Sequence, residues 1–282
     1  MAEVLDAHPA VTLVNEPDNA EVAPLAEWAT ARHGSAPSLK PGERAPEYDA
    51  LFAAAFRARV PVRGRRLRAA RRLHWPALSG RVPDHVSGDG VVLVKSVAAY
   101  CSLEWFQARF DPRMIVLWRH PLNVLASWLE IGWRGAQFAA GQRALCERFE
   151  RTALWPPPSD PVTGLEWAVC ASTVVVLESA ARTRAVVRAH EDNAREPAAA
   201  IAAMLDHLGL AWTGAIDTAL ADHDRPGNGW TAQRVAGDEP QRWRTRLDAA
   251  VVAEMTVWLD RFGDESPIAA AAWSTSPAVH DG

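Results

Sequence analysis

The sequence predicts an α/β fold, a three-layer parallel sheet flanked by helices. Two general observations carry that prediction. Short, unbroken apolar runs recur along the chain, as in strands buried on both faces, and segments with apolar residues at helical spacing separate them. Strands and helices in alternation make a parallel sheet with helices on both sides. The third observation is one junction, Arg113-Met-Ile-Val-Leu-Trp-Arg-His-Pro-Leu-Asn-Val-Leu-Ala-Ser127. Its apolar run Met114–Trp118 ends in Arg119 and His120. Pro121 comes next, a residue suited to the first turn of a helix because it has no N–H to leave unpaired.

The elements run in order. Glu3 to His8 reads as the tail of a helix, and Val11 to Val14 as a strand ending in Asn15-Glu16-Pro17-Asp18. A helix is expected from Pro24 to His33, then a Pro-, Gly- and Ser-rich loop to Pro46. Helical spacing returns at Tyr48–Arg59 and Arg65–Leu78. Val91 to Val94 is the next strand, Ser102 to Phe110 a helix, and Ile115 to Trp118 the third strand. Val124, Leu125, Trp128, Leu129 and Ile131 carry the helix after Pro121; helical sequence continues to Leu154 with a break near Gly135. Trp155-Pro-Pro-Pro-Ser-Asp-Pro161 is a rigid loop. Helix Leu165–Ala181, strand Ala185–Arg188, helix Pro197–Leu208 stopped by Gly209, and helix Ala249–Phe262 complete the order. The expectation is one domain over 1–264 with a helical insert near 21–80, and a flexible tail over 265–282.

Composition narrows the function classes. Forty-nine per cent hydrophobic and 23% charged residues are ordinary globular usage, and a net charge of −4 carries no nucleic-acid signature. Eight arginines between Arg57 and Arg72 form a basic run, read as a solvated helix face that could also steer an anion. Three scattered cysteines show no metal spacing and suit a reducing compartment; no metal site is assigned. With no basic, apolar leader visible and no apolar run of membrane length, the expectation is a cytoplasmic protein with no membrane or nucleic-acid partner.

Ligands of open α/β sheets bind beyond the carboxyl ends of strands, and helix N-termini favour anions. Arg119 stands at such an exit and offers a flat, permanently charged fork that fits a phosphate. Ser127, eight residues on, lies two turns into the next helix. Arg-x-Pro with Ser eight residues after the Arg, at a strand-to-helix junction, resembles the 3′-phosphate-binding motif of the PAPS-dependent sulfotransferases, bacterial type, of the P-loop superfamily. The resemblance implies that Arg119 and Ser127 hold the 3′-phosphate of 3′-phosphoadenosine 5′-phosphosulfate, the donor co-substrate, with no metal.

Further residues extend it. Lys95, after Val91–Val94, is similar to the family's lysine near the transferring group, where a cation stabilises charge on the leaving phosphate. Glu16 resembles the glutamate after the second strand that serves as base toward the acceptor, with Asp18 a second choice. The family's cytosolic eukaryotic members place a histidine where this chain has Val97. Trp243 and Arg244, in Gln241-Arg-Trp-Arg-Thr-Arg-Leu247, resemble the carboxyl-terminal element that closes over the nucleotide, and Arg234 matches a basic residue upstream of it. Arg242, Arg244 and Arg246 also suit a solvated basic helix start. His190-Glu191-Asp192 resembles the family's Tyr-Glu-Asp-Leu and is read as capping the next helix.

The family opens with a strand, a phosphate-cradling loop of the type Pro-x-Ser-Gly-Thr-Thr-Trp, and a helix. Glu3 to Pro9 is similar to the family's segment just past that loop, so the expectation is that strand and loop lie upstream of Met1; a true deletion is the alternative. The central first strand would then be missing from this chain, leaving a split sheet in which Val91–Val94 and Ile115–Trp118 do not pair. The implied activity is sulfuryl transfer to a hydroxyl or amine of a small-molecule or glycan acceptor. A P-loop kinase-like phosphotransferase and a non-catalytic nucleotide-binding relic or scaffold remain open as alternatives.

Overall fold

The computed structural model describes residues 1–21, 23–34, 36–59, 90–133, 143–225 and 236–276. The described residues are mixed α/β, mostly helical, with two small parallel sheets. Helix α1 (Ala2–Asp6) leads into β1 (Val11–Asn15), then α2 (Pro24–His33) and α3 (Pro46–Ala55). Then come β2 (Val91–Lys95), a 3₁₀ turn at Ala99–Ser102, α4 (Leu103–Phe110), β3 (Ile115–Trp118) and α5 (Pro121–Glu130). Helices α6 (Arg143–Phe149) and α7 (Pro161–Ala181) precede β4 (Val186–Ala189). The rest is α8 (His190–Arg195), α9 (Pro197–Leu208), α10 (Gly214–His223), a kinked 3₁₀ stretch at Ala236–Thr245, α11 (Ala249–Glu265) and α12 (Pro267–Thr275).

Strand β1 pairs with β2 in parallel, Val11 opposite Val91 and Asn15 opposite Lys95. Strand β3 pairs with β4, Ile115 opposite Val186 and Trp118 opposite Ala189. Among the described residues β2 and β3 share no ladder, and the four strands form two separate two-stranded sheets. Strand β1 is largely buried, but the other three strands are less covered than their apolar runs predicted. Every residue of β2 is only partly buried, and Leu117 and Val187 are 44% and 39% exposed. A two-stranded ribbon has an open edge on each side, and helices cover only part of these two.

Four apolar clusters hold the described residues together, the smallest of them Leu103, Val116 and Ala180. The largest joins α5, α6, α7, α11 and α12 around Leu125, Phe149, Trp167, Phe262 and Trp273. A second packs α2, α3 and α4 against β1, with Phe52 edge-on to Phe106 at 4.5 Å. The third seals α1 against α9 and α10. The flexible tail expected from residue 265 is corrected: Pro267–Thr275 is helical and buries Ala269 and Trp273. Its alanine run is good helix-forming sequence, and Pro267 starts the helix at its first turn. Residues 277–282 lie outside the described residues, as do 60–89, which hold most of the basic run and the helix expected at Arg65–Leu78.

Helix α7 is long and apolar enough to cross a membrane by length and composition, yet most of its apolar window is buried inside the protein. It carries a buried misfit. Glu166 is fully inaccessible, neither carboxyl oxygen has a hydrogen-bond partner, and burial, aided by Glu254 and Asp160, pushes the group up to about 7. The folded state therefore binds a proton more tightly than the unfolded chain, and stability is lost as pH rises from about 4.5 through about 7. Glu166→Gln is expected to be more stable than the parent at pH 8 by on the order of 1–3 kcal/mol, and nearly equal at pH 4. Urea denaturation at the two pH values checks this; a difference independent of pH contradicts it.

Candidate functional site

The parallel registers put the chemistry-bearing residues at strand ends. Because Asn15 lies opposite Lys95, Glu16 emerges beside it, and the Glu16 N–H donates to the Lys95 carbonyl at 2.7 Å, one bond beyond the strand. The Lys95 ammonium donates to Glu16 Oε1 at 2.8 Å. Glu16 holds a left-handed backbone, φ +49°, which costs a residue with a Cβ on the order of 1 kcal/mol. That conformation turns the chain so that Asp18 also reaches β2, accepting from Ser96 Oγ at 2.5 Å. Ser96 Oγ in turn accepts from the N–H groups of Ala98 and Ala99 and fixes the turn after β2. Asp18 is buried, and burial pushes its carboxyl up to about 6 despite the Ser96 bond. A carboxyl near that value can exchange a proton close to neutrality.

The Glu16–Lys95 pair is partly exposed, with side chains 20% and 35% accessible. A double-mutant cycle with Glu16→Gln and Lys95→Met is expected to give a coupling of about 0.5–1 kcal/mol in stability, falling with added salt. A coupling near zero at low salt contradicts the contact.

The second half forms where β3 and β4 end. Trp118 lies opposite Ala189, so Arg119 and His120 emerge beside His190 and Glu191. Glu191 is fully buried; its Oε1 accepts from the His120 N–H at 3.0 Å and from Asn123 Nδ2 at 2.9 Å. Asn123 Nδ2 also donates to the Pro240 carbonyl, and Asn123 Oδ1 accepts from the Trp243 N–H. These bonds tie the exits of β3 and β4 to the 3₁₀ stretch 236–245. Burial of His120 lowers its imidazole to about 4; it is neutral, and Nδ1 accepts from the Leu122 N–H.

Arg119 sits in the middle. Its Nη2 donates to Glu239 Oε2 at 3.0 Å, while Nε, buried and without a hydrogen bond, lies 4.0 Å from Glu191 Oε1. Arg242 Nη1 donates to the other Glu239 oxygen at 2.6 Å. Burial lowers the Arg119 pKa; Glu239 and Glu191 oppose that, and Arg242 and Arg246 add to it. Burial would raise Glu239, but Arg119 and then Arg242 outweigh it and hold the carboxyl below its ordinary value.

Ser127 lies on the same helical face as Asn123 and Glu130, at positions i, i+4 and i+7. Asn123 binds the 3₁₀ stretch, and Glu130 pairs with Arg246 just beyond its end. Partly buried Ser127 therefore belongs to the α5 face that this stretch covers. Trp243 is buried in the largest apolar cluster, and exposed Arg244 stacks on its ring at 4.8 Å. The arginines that meet Arg119 electrostatically are Arg242 and Arg246. Arg234 lies outside the described residues.

Sequence reasoning misses Glu239 and Asn123, and it reads Glu191 as a cap. Glu191 lies in the first turn of α8 and makes no cap bond; the Ala189 N-cap has no side-chain acceptor. A glutamate directly after an apolar strand is the available signal. Among the described residues no group of three or more His, Cys, Asp or Glu side chains is placed to hold a metal ion.

No family model matches the chain, and no curated protein matches it. A solved structure, the sulfotransferase domain from the curacin biosynthetic pathway, aligns with 94% of this chain and 91% of its own, at 12% identity and a TM-score of 0.45.

Proposed function

We propose that this chain binds 3′-phosphoadenosine 5′-phosphosulfate and serves in sulfuryl transfer to an acceptor hydroxyl or amine, on a small molecule or a glycan. The observation that carries the reading is Arg119, partly buried at a strand exit and sharing with Arg242 a grip on one carboxylate. Two guanidinium forks around a carboxylate have the charge and donor geometry that a phosphate monoester uses. When bound, the donor supplies a sulfuryl group on an activated phosphate. In this reading Arg119 takes the 3′-phosphate and the Ser127 hydroxyl adds a donor from α5. Arg234 and Arg244 supply further positive charge, and Trp243 anchors the segment that carries Arg242 and Arg244.

The other half faces the acceptor. The Lys95 ammonium stabilises negative charge on a leaving phosphate oxygen. Glu16 takes the acceptor proton, with Asp18 as a second proton-accepting carboxyl held against Ser96. The contact between Lys95 and Glu16 keeps the two groups at one place before any ligand arrives. Such catalysis is positioning and electrostatics.

Calorimetric titration with 3′-phosphoadenosine 5′-phosphate tests the proposal, on the chain and on a version extended upstream. Saturable one-to-one binding that ATP does not match is expected. Binding of ATP with magnesium in preference, or no nucleotide binding by either version, would overturn it in favour of phosphotransfer or a non-catalytic role respectively.

A further inference from the structure

We infer that Glu239 is an internal substitute for the ligand's phosphate, a carboxylate held in the anion site that an incoming phosphate must displace. The inference rests on the proposed function in taking the Arg119 pocket as the phosphate site. Both Glu239 oxygens are committed to guanidinium groups, Oε2 to Arg119 and Oε1 to Arg242. The residue is 6% exposed, and its two arginine partners are partly exposed, at 25% and 28% of their side chains, so the carboxylate is covered while solvent reaches the cations. Surface ion pairs of this type contribute little, whereas a desolvated carboxylate between two cations is held firmly.

The two carboxylates beside Arg119 differ in what else they do. Glu191 is tied into the framework through the His120 N–H and Asn123, and burial raises its pKa. It fixes where the strand exits and cannot leave without breaking that junction. Glu239 instead has its pKa lowered by Arg119 and Arg242, despite its burial. The backbone just after it is pinned to α5 by Asn123 through the Pro240 carbonyl and the Trp243 N–H. Displacement of the side chain by a phosphate would therefore leave the arginine-bearing stretch docked.

Glu239 then sets specificity by competition. A ligand must bind the two guanidinium groups better than a tethered carboxylate does. A phosphate monoester brings a charge of about −1.5 to −2 and three acceptor oxygens, and meets that requirement. A singly charged carboxylate or sulfate ester gains little by the exchange. Arg119 Nε, buried and unbonded, is a donor that the carboxylate leaves unused and that a third oxygen can take.

The test is titration of the parent chain, Glu239→Gln and Glu239→Ala with 3′-phosphoadenosine 5′-phosphate and, separately, with inorganic phosphate. Thermal unfolding establishes that each variant is folded. Both variants are expected to bind both probes at least tenfold more tightly than the parent, and Arg242→Ala in the Glu239→Gln background to remove most of the gain. If the parent binds the nucleotide and neither variant binds more tightly, the competition is refuted while the nucleotide site stands. If the variants gain phosphate binding but no protein binds the nucleotide, the displacement holds and the nucleotide reading falls.

Discussion

Arg119→Ala is expected to lower the affinity for 3′-phosphoadenosine 5′-phosphate by about two to three orders of magnitude. Truncating one partner of a buried, hydrogen-bonded charge pair costs about 2–5 kcal/mol, because the other charge stays buried without its counterion. Here the loss is compounded in the free protein. Glu239 loses one of its two guanidinium partners, and Glu191 loses the cation beside it. A decrease in stability of about 3 kcal/mol is therefore expected as well. Arg119→Lys separates the two effects. It keeps the charge and so most of the stability, but a lysine cannot present a planar fork, and affinity still falls at least tenfold. Calorimetry and urea denaturation on the same samples report the two numbers. Full nucleotide binding by Arg119→Ala would remove Arg119 from the site.

Trp273→Ala is expected to destabilise the fold by about 3–5 kcal/mol, the range for removing a buried aromatic side chain. Trp273 is 5% exposed and belongs to the cluster that includes Phe149, Trp167 and Phe262. In a domain of this size about 2–4 °C of melting temperature accompanies each kcal/mol, so thermal unfolding should drop by roughly 10 °C. Truncation after Asp264 should cost at least as much. A chain shortened there that melts with the parent would show that α12 does not contribute to the core.

That helix shows where sequence reasoning stops. The Ala-, Ser- and Pro-rich composition of 265–282 reads as a tail, although alanine is the strongest helix former and only one large side chain, Trp273, has to find a slot. The slot is made by α7 and α11, and its shape is a tertiary fact invisible in the local pattern. Helix α10 escapes the sequence pattern for a related reason, since Ile216 is its one buried residue. The four strands are legible because short apolar runs bounded by polar residues have few other uses. Their exposure is not legible, because it depends on which edges stay open.

At the site the same division holds. Arg119 and Lys95 can be read as strand-exit cations from local sequence alone. Glu16 can be read as an exit carboxylate, but not its contact with Lys95, 79 residues away. Glu239 is 120 residues from Arg119, and Asn123 is 68 from Glu191. No periodicity joins residues so far apart; register and packing do.

The decisive comparison is between 3′-phosphoadenosine 5′-phosphate and adenosine 5′-phosphate, titrated into the parent chain and into Arg119→Lys. If Arg119 reads the 3′-phosphate, the parent discriminates at least tenfold between the two nucleotides and the variant loses that preference. Equal binding of both nucleotides by the parent would contradict a phosphate site at the exit of β3.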